Sequence, residues 1–412
     1  MKSPNKKNQT PMLKSLIVLL GVSGVLAACQ NGEADGQDAA STEDSATSSV
    51  AEVDSTQPEE TTVDIQISAV GDIMMHTGQI DGGYDAQTDS YDFTPVFEHV
   101  KPIIQEADLA MANLETTLAG PDLPYAGYPL FNAPDEVADA LLDTGFDTIV
   151  TANNHSLDTR SDGLKRTVQV LNEKGLEAVG TYNEAPDSRV LLKNVEGVEI
   201  AIIGYTEMAN GLEAQYSTEE LDSMINLMSE EQILADIEEA KEMDPDMILA
   251  FMHWGNEYAA EPSDVQTQYA EMMTREGVDI ILGSHPHVIQ RSEFLEAGEN
   301  EALVVYSMGN FVSNQRRESL GEGFEPTEDG VIVNLNIQKD VETGETTLQS
   351  VEFVPTWVHR TPGESGSGYQ YQILPIESSL ETLELPEETV NRMKQSYERT
   401  HSRLESATLQ NN

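Results

Sequence analysis

Residues 278–287 read Val-Asp-Ile-Ile-Leu-Gly-Ser-His-Pro-His, an apolar run followed by two histidines that flank a proline. The apolar run predicts a buried strand, with His285 and His287 at its carboxyl end. Residues two apart in an extended chain point to the same face, and Pro286 favours an extended backbone at His285. The pattern therefore predicts two imidazoles that converge on one point, as the ligands of a cation do, although a pair of this kind can also be ordinary polar surface.

Other apolar runs along the chain predict further buried strands. They cover residues 65–70, 109–112, 148–151, 199–205, 247–252 and 303–307. Amphipathic stretches between them predict helices near 95–106, 134–144, 161–174, 229–243 and 263–276. This alternation of strands and helices indicates an α/β fold with a largely parallel sheet that is buried on both faces.

The alternation fades after residue 310. Residues 331–337 and 346–353 alternate apolar and polar side chains, which is typical of antiparallel strands with one solvent-exposed face. Residues 386–404 predict a terminal helix. We expect one folded domain over residues 63–360, followed by a short helical C-terminal extension over 361–412.

The N-terminus has the pattern of a secretory signal. Lysines precede a short apolar run over residues 16–28, and this run is too short for a comfortable membrane span. Leu26-Ala27-Ala28-Cys29 resembles the bacterial lipobox, in which the cysteine is lipidated and becomes the first mature residue. Cys29 is the only cysteine in the sequence and cannot form an internal disulfide. We expect a lipoprotein signal peptide over residues 1–28 and lipidation of Cys29 at the outer face of the cytoplasmic membrane; the alternative is an ordinary signal peptide.

Residues 29–62 contain no Lys or Arg and almost no large apolar side chain, which predicts a disordered acidic tether. The chain has 73 acidic and 22 basic residues, and removing residues 1–28 takes away four lysines and changes the net charge from −51 to −55. Such a charge argues against nucleic acid and anionic membrane surfaces as partners. Because the acidic residues are spread along the chain, they suggest a secreted protein adapted to high salt rather than a calcium sponge.

Polar side chains follow five of the predicted strands. They are Asp72, then Asn113 and Glu115, then Asn153, Asn154 and His155, then His253 with Trp254, and finally His285 with His287. Ligands bind at the carboxyl ends of strands in open α/β sheets. Carboxylate, amide oxygen and imidazole together suit Mn, Fe or Zn. The set is large enough for two divalent ions that share a carboxylate, an arrangement that activates water for displacement at phosphorus.

Six motifs in order over about 65–315 resemble those of the CapA/PgsA family, bacterial capsule proteins associated with poly-γ-glutamate synthesis and export. They are Gly71-Asp72, Asn113-Leu114-Glu115, Ala152-Asn153-Asn154-His155, His253-Trp254-Gly255, Gly283-Ser284-His285-Pro286-His287 and Gly309-Asn310-Phe311. The fold of that family is similar to the calcineurin-like metallophosphatases. The resemblance therefore implies a metallophosphatase-like α/β/β/α sandwich.

The resemblance also implies roles for individual residues. The first ion would be bound by Asp72 and His287, the second by Asn154, His253 and His285, and both by a bridging Glu115. His155 would act catalytically, as a general acid or by holding the leaving oxygen. Apart from the resemblance, the residues themselves suggest that Asn310 holds a site loop by hydrogen bonds, that Asn113 supports the site, and that Trp254 is a wall of the site or a core residue.

Two positions depart from the metallophosphatase pattern. Met74 stands where most metallophosphatases have a histidine two residues after the aspartate, and no Gly-Asp-x-x-Asp occurs on the second strand, so Glu115 must serve. His76 could replace the missing ligand from the following loop, or could simply be solvated.

Three functions are compatible with this sequence. The first is a surface-anchored lipoprotein of poly-γ-glutamate capsule biosynthesis and export, working with membrane-bound polyglutamate synthase subunits. The second is an extracytoplasmic metal-dependent phosphoesterase or other hydrolase. The third is a non-catalytic scaffold for membrane partners.

Overall fold

The computed structural model describes residues 61–363 and 368–404 of the chain. The predicted signal peptide, Cys29 and all but the last two residues of the predicted tether lie outside the described residues. Across the described ranges, no helix is both long enough and apolar enough to cross a membrane.

Two β-sheets and a small hairpin contain the strands. In chain order, the strands are β1 (Thr62–Ile73), β2 (Tyr84–Asp85), β3 (Ser90–Tyr91), β4 (Leu109–Leu114), β5 (Thr148–Val150), β6 (Glu177–Val179), β7 (Leu191–Val195), β8 (Val198–Thr206), β9 (Met247–His253), β10 (Ile280–Ser284), β11 (Ser292–Ala297), β12 (Asn300–Val305), β13 (Asn310–Val312), β14 (Asp329–Asp340), β15 (Thr346–Pro362) and β16 (Tyr369–Pro375). The α-helices are α1 (Thr77–Gly83), α2 (Thr94–Phe97), α3 (Lys101–Ile104), α4 (Glu136–Thr144), α5 (Arg160–Lys174), α6 (Thr218–Asp222), α7 (Glu230–Glu242), α8 (Asp264–Arg275), α9 (Arg317–Leu320), α10 (Ile376–Thr382) and α11 (Glu387–Leu404). Short 3₁₀ helices cover Leu212–Gln215 and Glu325–Glu328.

The first sheet has eight strands in the order β16-β15-β14-β1-β4-β5-β6, with β13 paired to β1. Strands β1, β4, β5 and β6 are parallel, and β14, β15 and β16 extend the sheet in antiparallel fashion. The antiparallel prediction for residues 331–337 and 346–353 is thereby confirmed. The prediction of one solvent-exposed face is wrong for β14, because Ile332 and Val333 pack into apolar cores on opposite sides of the sheet.

The second sheet has six strands in the order β11-β12-β10-β9-β8-β7. Its four inner strands are parallel, and each edge strand is antiparallel to its neighbour. Alternation of strands and helices alone predicts a single, largely parallel sheet. The structure instead divides the parallel strands between two mixed sheets, as the sandwich implied by the resemblance requires.

Apolar cores lie between the sheets and on their outer faces. The core between them contains Ile67 and Met111 of the first sheet with Leu249 and Leu282 of the second. The outer face of the first sheet packs against α2, α3 and α4, and that of the second against α7 and α8. The order of layers is therefore α/β/β/α, which confirms the predicted fold class. Burial of each such side chain contributes roughly 1.5–3 kcal/mol, so this shared core holds the strand ends of both sheets in place.

The chain after residue 360 adds both a strand and helices to this fold. Strand β16 pairs with β15, and Met393 of α11 packs with Trp357 and Leu374. The terminal helix predicted over 386–404 corresponds to α11.

A close backbone approach brings β13 beside the end of β1. The amide of Asp72 donates to the carbonyl of Gly309 at 3.0 Å, and a Cβ atom on Gly71 would collide with that same carbonyl oxygen. Glycine is therefore required at position 71, and Asn310 lies opposite Asp72 in the strand register.

Candidate metal centre

Asp72 and Asn113 lie next to each other in register at the carboxyl ends of β1 and β4. Asn113 donates from Nδ2 to Oδ1 of Asp72 at 2.8 Å, and the same nitrogen lies 3.3 Å from Nδ1 of His253. The second oxygen of Asp72, Oδ2, lies 3.0 Å from Nδ1 of His287. Both oxygens of this fully buried aspartate therefore have polar partners.

Glu115 follows β4 and is also fully buried, yet neither of its oxygens has a hydrogen-bond partner among the described residues. Its Oε1 lies 3.7 Å from Nε2 of His287, 3.8 Å from Nε2 of His253 and 4.0 Å from Nε2 of His155. Burial, followed by the charge of Asp72, raises the pKa of Glu115 well above its ordinary value of 4.5. A buried carboxylate without a donor is destabilising, and a cation held among these imidazoles would remove that cost. The donor set therefore fits a divalent metal ion.

The second sheet supplies His253 and His285. Nδ1 of His285 lies 3.1 Å from Nε2 of His253, which in turn lies 3.1 Å from Oδ1 of Asn154. Burial lowers the pKa of His253 well below 6.5 and that of His285 to about 3. Both imidazoles are therefore neutral at neutral pH, which is the state in which histidine binds metal.

The carboxylate and imidazole donors fall into two overlapping groups of three. Glu115 lies with His285 and His287 in one group and with Asp72 and His253 in the other, with the ligand atoms of each group all within 4.8 Å of one another. Glu115 belongs to both groups, as a bridging carboxylate would. The closest contacts divide the histidines differently, because His287 contacts Asp72 whereas His285 contacts His253. These contacts agree with the pairing implied by the resemblance; the assignment of each histidine to one ion stays a prediction.

The loop that carries His285 and His287 differs from the predicted one. Strand β10 ends at Ser284, and φ is 95° at His285 and 58° at His287. Both residues have left-handed backbone conformations, so the prediction of an extended backbone is wrong. Contacts from outside the loop impose this conformation. The amide of Trp254 donates to the carbonyl of Ser284 at 3.1 Å, and the amide of Tyr258 donates to that of Pro286 at 2.7 Å. Nδ2 of Asn310 donates to the carbonyl of His287 at 3.3 Å. Strain held in this way is typical of functional sites.

His155 has a partner that the sequence analysis missed. Nδ1 of His155 lies 2.7 Å from Oδ2 of Asp158, and both side chains are buried. The sequence contains both residues in the pattern Asn-His-Ser-Leu-Asp over residues 154–158. Their contact depends on the turn after β5, in which the amide of Asp158 donates to the carbonyl of His155 at 3.1 Å. The sequence pattern alone does not predict this turn.

The remaining candidates lie around the donor cluster. His76 precedes α1 and belongs to neither donor group within the described ranges. Burial lowers its pKa to about 4.

Trp254 and Asn310 have structural roles. Trp254 donates from Nε1 to the carbonyl of Tyr306 at 3.0 Å and packs in the core on the outer face of the second sheet, so it is a core residue. Asn310 donates to the carbonyl of Thr327 at 2.9 Å as well as to that of His287, and so holds the histidine loop.

A cavity of about 640 Å³ opens onto the donor cluster. His155 and His287 lie in its wall, together with Asp158 and His76. Its apolar wall residues include Tyr128, Leu130 and Leu320, which are 77%, 45% and 37% exposed. A ligand in this cavity would therefore contact both apolar side chains and the polar groups of the donor cluster.

The layered fold and the buried carboxylate–histidine cluster at its strand ends define an α/β/β/α sandwich with a candidate metal site. Residues 66–315 match the family described as bacterial capsule synthesis protein PGA_cap, and the chain belongs to this family. This confirms the resemblance found in the sequence.

Two relatives and one solved structure are similar to this chain. The chain is 30% identical over 284 residues to the capsule biosynthesis protein CapA of Bacillus anthracis, covering 66% of this chain and 64% of that protein. It is 29% identical over 282 residues to the PGA biosynthesis protein CapA of Bacillus subtilis (strain 168), covering 67% and 68%. Among solved structures, it is similar to the calcineurin-like phosphoesterase YfkN from Bacillus subtilis, with a TM-score of 0.43 and 15% identity over 83% of this chain and 98% of that one.

Proposed function

We propose that this chain acts on poly-γ-glutamate during capsule biosynthesis and that its site works with divalent metal ions. Family membership supports the capsule role, and the relative in Bacillus subtilis, a PGA biosynthesis protein, supports the polymer. The observation that carries the metal proposal is Glu115, whose two buried oxygens have no hydrogen-bond partner among the described residues while three imidazoles surround one of them.

Six residues would hold the ions: Asp72, Glu115, Asn154, His253, His285 and His287. Bound Mn, Fe or Zn would supply a Lewis acid that polarises a carbonyl or phosphoryl oxygen. His155 would move a proton at Nε2, because its Nδ1 is engaged by Asp158. The cavity wall around Tyr128 and Leu130 would orient the ligand and limit the access of water.

We also propose that the chain is a lipoprotein held at the outer face of the cytoplasmic membrane through Cys29, with residues 29–62 as its tether. The lipobox-like sequence and the scarcity of large apolar residues in the tether support this arrangement. A flexible chain of this length spans roughly 30 Å, so the folded domain could work close to membrane-bound synthase subunits.

A second candidate function is hydrolysis of a phosphoester outside the cytoplasm. The contact between His155 and Asp158 favours it, since an imidazole oriented by a carboxylate and facing a metal-binding carboxylate is suited to protonate a leaving oxygen.

One experiment separates these functions. The purified chain is loaded with Mn, Zn or Fe and assayed on poly-γ-glutamate and on a generic phosphodiester, beside His155→Ala and the control His401→Ala, which changes an exposed histidine of α11. Polymer cleavage that is lost only in His155→Ala supports the proposal. Phosphodiester turnover alone supports the second candidate. Metal-free protein with neither activity contradicts both and favours a scaffold for membrane partners.

A further inference from the structure

Arginines are scarce in this chain, and those near α11 differ in their partners. Arg392 pairs with Glu318 and Glu328, and Arg399 donates to both oxygens of Asp329 at 2.7 Å. Arg403 lies one turn further along the same helix and donates from Nη1 to the carbonyl of Ile289. In contrast to the other two, it forms no ion pair with any described carboxylate.

Arg403 lines a second cavity, of about 210 Å³. Most of the other wall residues are apolar or glycine: Ala260, Val288, Gly323, Phe324 and Pro326. An arginine has five N–H donors in a planar fork that matches a carboxylate. One nitrogen of Arg403 contacts Ile289, and the rest of the guanidinium is available to a ligand. Apolar walls strengthen a charge-assisted hydrogen bond because they lower the local dielectric constant.

The second cavity adjoins the cavity of about 640 Å³ that opens onto the donor cluster, which is called the main cavity below. Tyr258 lines both cavities, and its ring lies 6.0 Å from that of His287 and 5.2 Å from that of Phe324. Val288 of the second cavity also directly follows His287 in the chain. One extended ligand could therefore occupy both cavities across Tyr258.

We propose that the second cavity is a carboxylate subsite, in which Arg403 binds one carboxylate of an acidic polymer while a neighbouring repeat lies in the main cavity. This inference rests on the proposed function for its choice of polymer, since poly-γ-glutamate carries one free carboxylate in each repeat. The subsite also offers an anionic polymer local attraction on a chain with a net charge of −51, because Arg403 forms no ion pair with a carboxylate in the described ranges.

The test measures binding of a γ-linked glutamate oligomer by calorimetry at low salt, in a chelator so that no metal-dependent turnover occurs. Arg403→Gln should weaken binding about tenfold or more, as expected for loss of a charge-assisted pair. Arg275→Gln, which removes an exposed arginine paired with Glu271, should bind like the unmodified chain. An oligomer of γ-linked isoglutamine, in which each free α-carboxylate is replaced by an amide, should not distinguish the variants.

A second pair of variants leaves the contact between Arg403 and Ile289 intact. Ala260→Glu places a carboxylate in the wall of the cavity and should weaken oligomer binding, whereas the neutral Ala260→Gln should weaken it less. The subsite is overturned if the unmodified chain does not bind the oligomer, or if Arg403→Gln and Ala260→Glu both bind it normally. A separate assay without chelator, on protein loaded with Mn, Zn or Fe, measures turnover of the oligomer by the same variants. Binding that depends on Arg403 while this assay shows no turnover supports the subsite and contradicts the proposed enzyme, whereas turnover with an unchanged KM in both variants does the reverse.

Discussion

Nδ1 of His155 lies 2.7 Å from Oδ2 of Asp158 in the wall of the main cavity. An ionised carboxylate can only accept hydrogen bonds, so Nδ1 donates and Nε2 remains free, 4.0 Å from Oε1 of Glu115. The same oxygen of Asp158 also accepts the backbone N–H of Phe131 at 2.7 Å. Asp158 is therefore a positioning residue that sets both the tautomer and the direction of the catalytic imidazole.

Asp158→Asn should lower kcat about 10- to 100-fold, which is the usual effect of removing a carboxylate that orients a functional histidine. Metal content should not change, because Asp158 belongs to neither donor group. Steady-state kinetics and elemental analysis check both statements. The control is Asp139→Asn, which removes a more exposed partner of Lys174; equal kinetics for the two variants would contradict this role of Asp158.

Asn310→Ala should destabilise the fold by about 1–3 kcal/mol, because it leaves the buried carbonyls of His287 and Thr327 without their donor. It should also weaken metal binding, since the left-handed backbone at His287 loses a restraint. Denaturant unfolding and metal titration measure the two effects. The matched control is Asn336→Ala, whose side chain bonds Ser350 in a more exposed part of β14. A loss of stability no greater than that of the control would show that Asn310 does not hold this loop.

The metal-free chain should lose stability as pH falls below 6.5. Burial lowers the pKa of His285 to about 3 and that of His76 to about 4, so the unfolded chain binds protons in this range that the folded chain does not. Each histidine contributes at most about 1.4 kcal/mol per pH unit. The raised pKa of Glu115 acts in the opposite direction and adds stability at low pH that is lost as pH rises. His76→Asn removes only one histidine, so it should make the acid loss less steep.

Denaturant unfolding at pH 6.5 and at about pH 5 measures this slope in both chains. An identical slope in the unmodified chain and in His76→Asn would mean that His76 is not held neutral in the folded state. The same variant addresses the question of His76 as a ligand: unchanged metal content is expected, since His76 lies outside the donor groups of the described residues.

The sequence was informative where a local pattern determines the structure. The apolar runs correspond to strands β1, β4, β5, β8, β9, β10 and β12, and the polar residues after five of them are brought together as predicted. Within each sheet, parallel strands place their carboxyl ends at the same edge, and the packing of the two sheets brings these two edges together. Asp72 and Glu115 illustrate this convergence: Asp72 lies near the end of β1, Glu115 directly follows the neighbouring strand β4, and both share the same cluster of histidines.

The remaining features depend on contacts between distant parts of the chain. The left-handed backbone at His285 and His287 is imposed by Trp254, Tyr258 and Asn310, whereas the local Pro286 favours the opposite conformation. The division into two sheets and the burial of β14 on both faces likewise depend on which strands pair, and local periodicity does not carry that information.

Glu115→Gln tests the central claim of a divalent-metal site most directly. Glutamine removes the buried negative charge, so the metal-free variant should be at least as stable as the unmodified chain. Metal should stabilise the unmodified chain by mass action, about 4 kcal/mol at a free ion concentration a thousandfold above Kd, but should stabilise Glu115→Gln much less. Glu271→Gln, at the exposed pair with Arg275, is the control.

The deciding measurement is the free energy of unfolding of each chain with and without Mn, Zn or Fe, combined with elemental analysis after dialysis. We expect bound metal and metal-dependent stabilisation in the unmodified chain and in Glu271→Gln, and their loss in Glu115→Gln. Equal metal binding and stabilisation in Glu115→Gln, or no stabilisation of the unmodified chain by any of the three ions, would contradict the account.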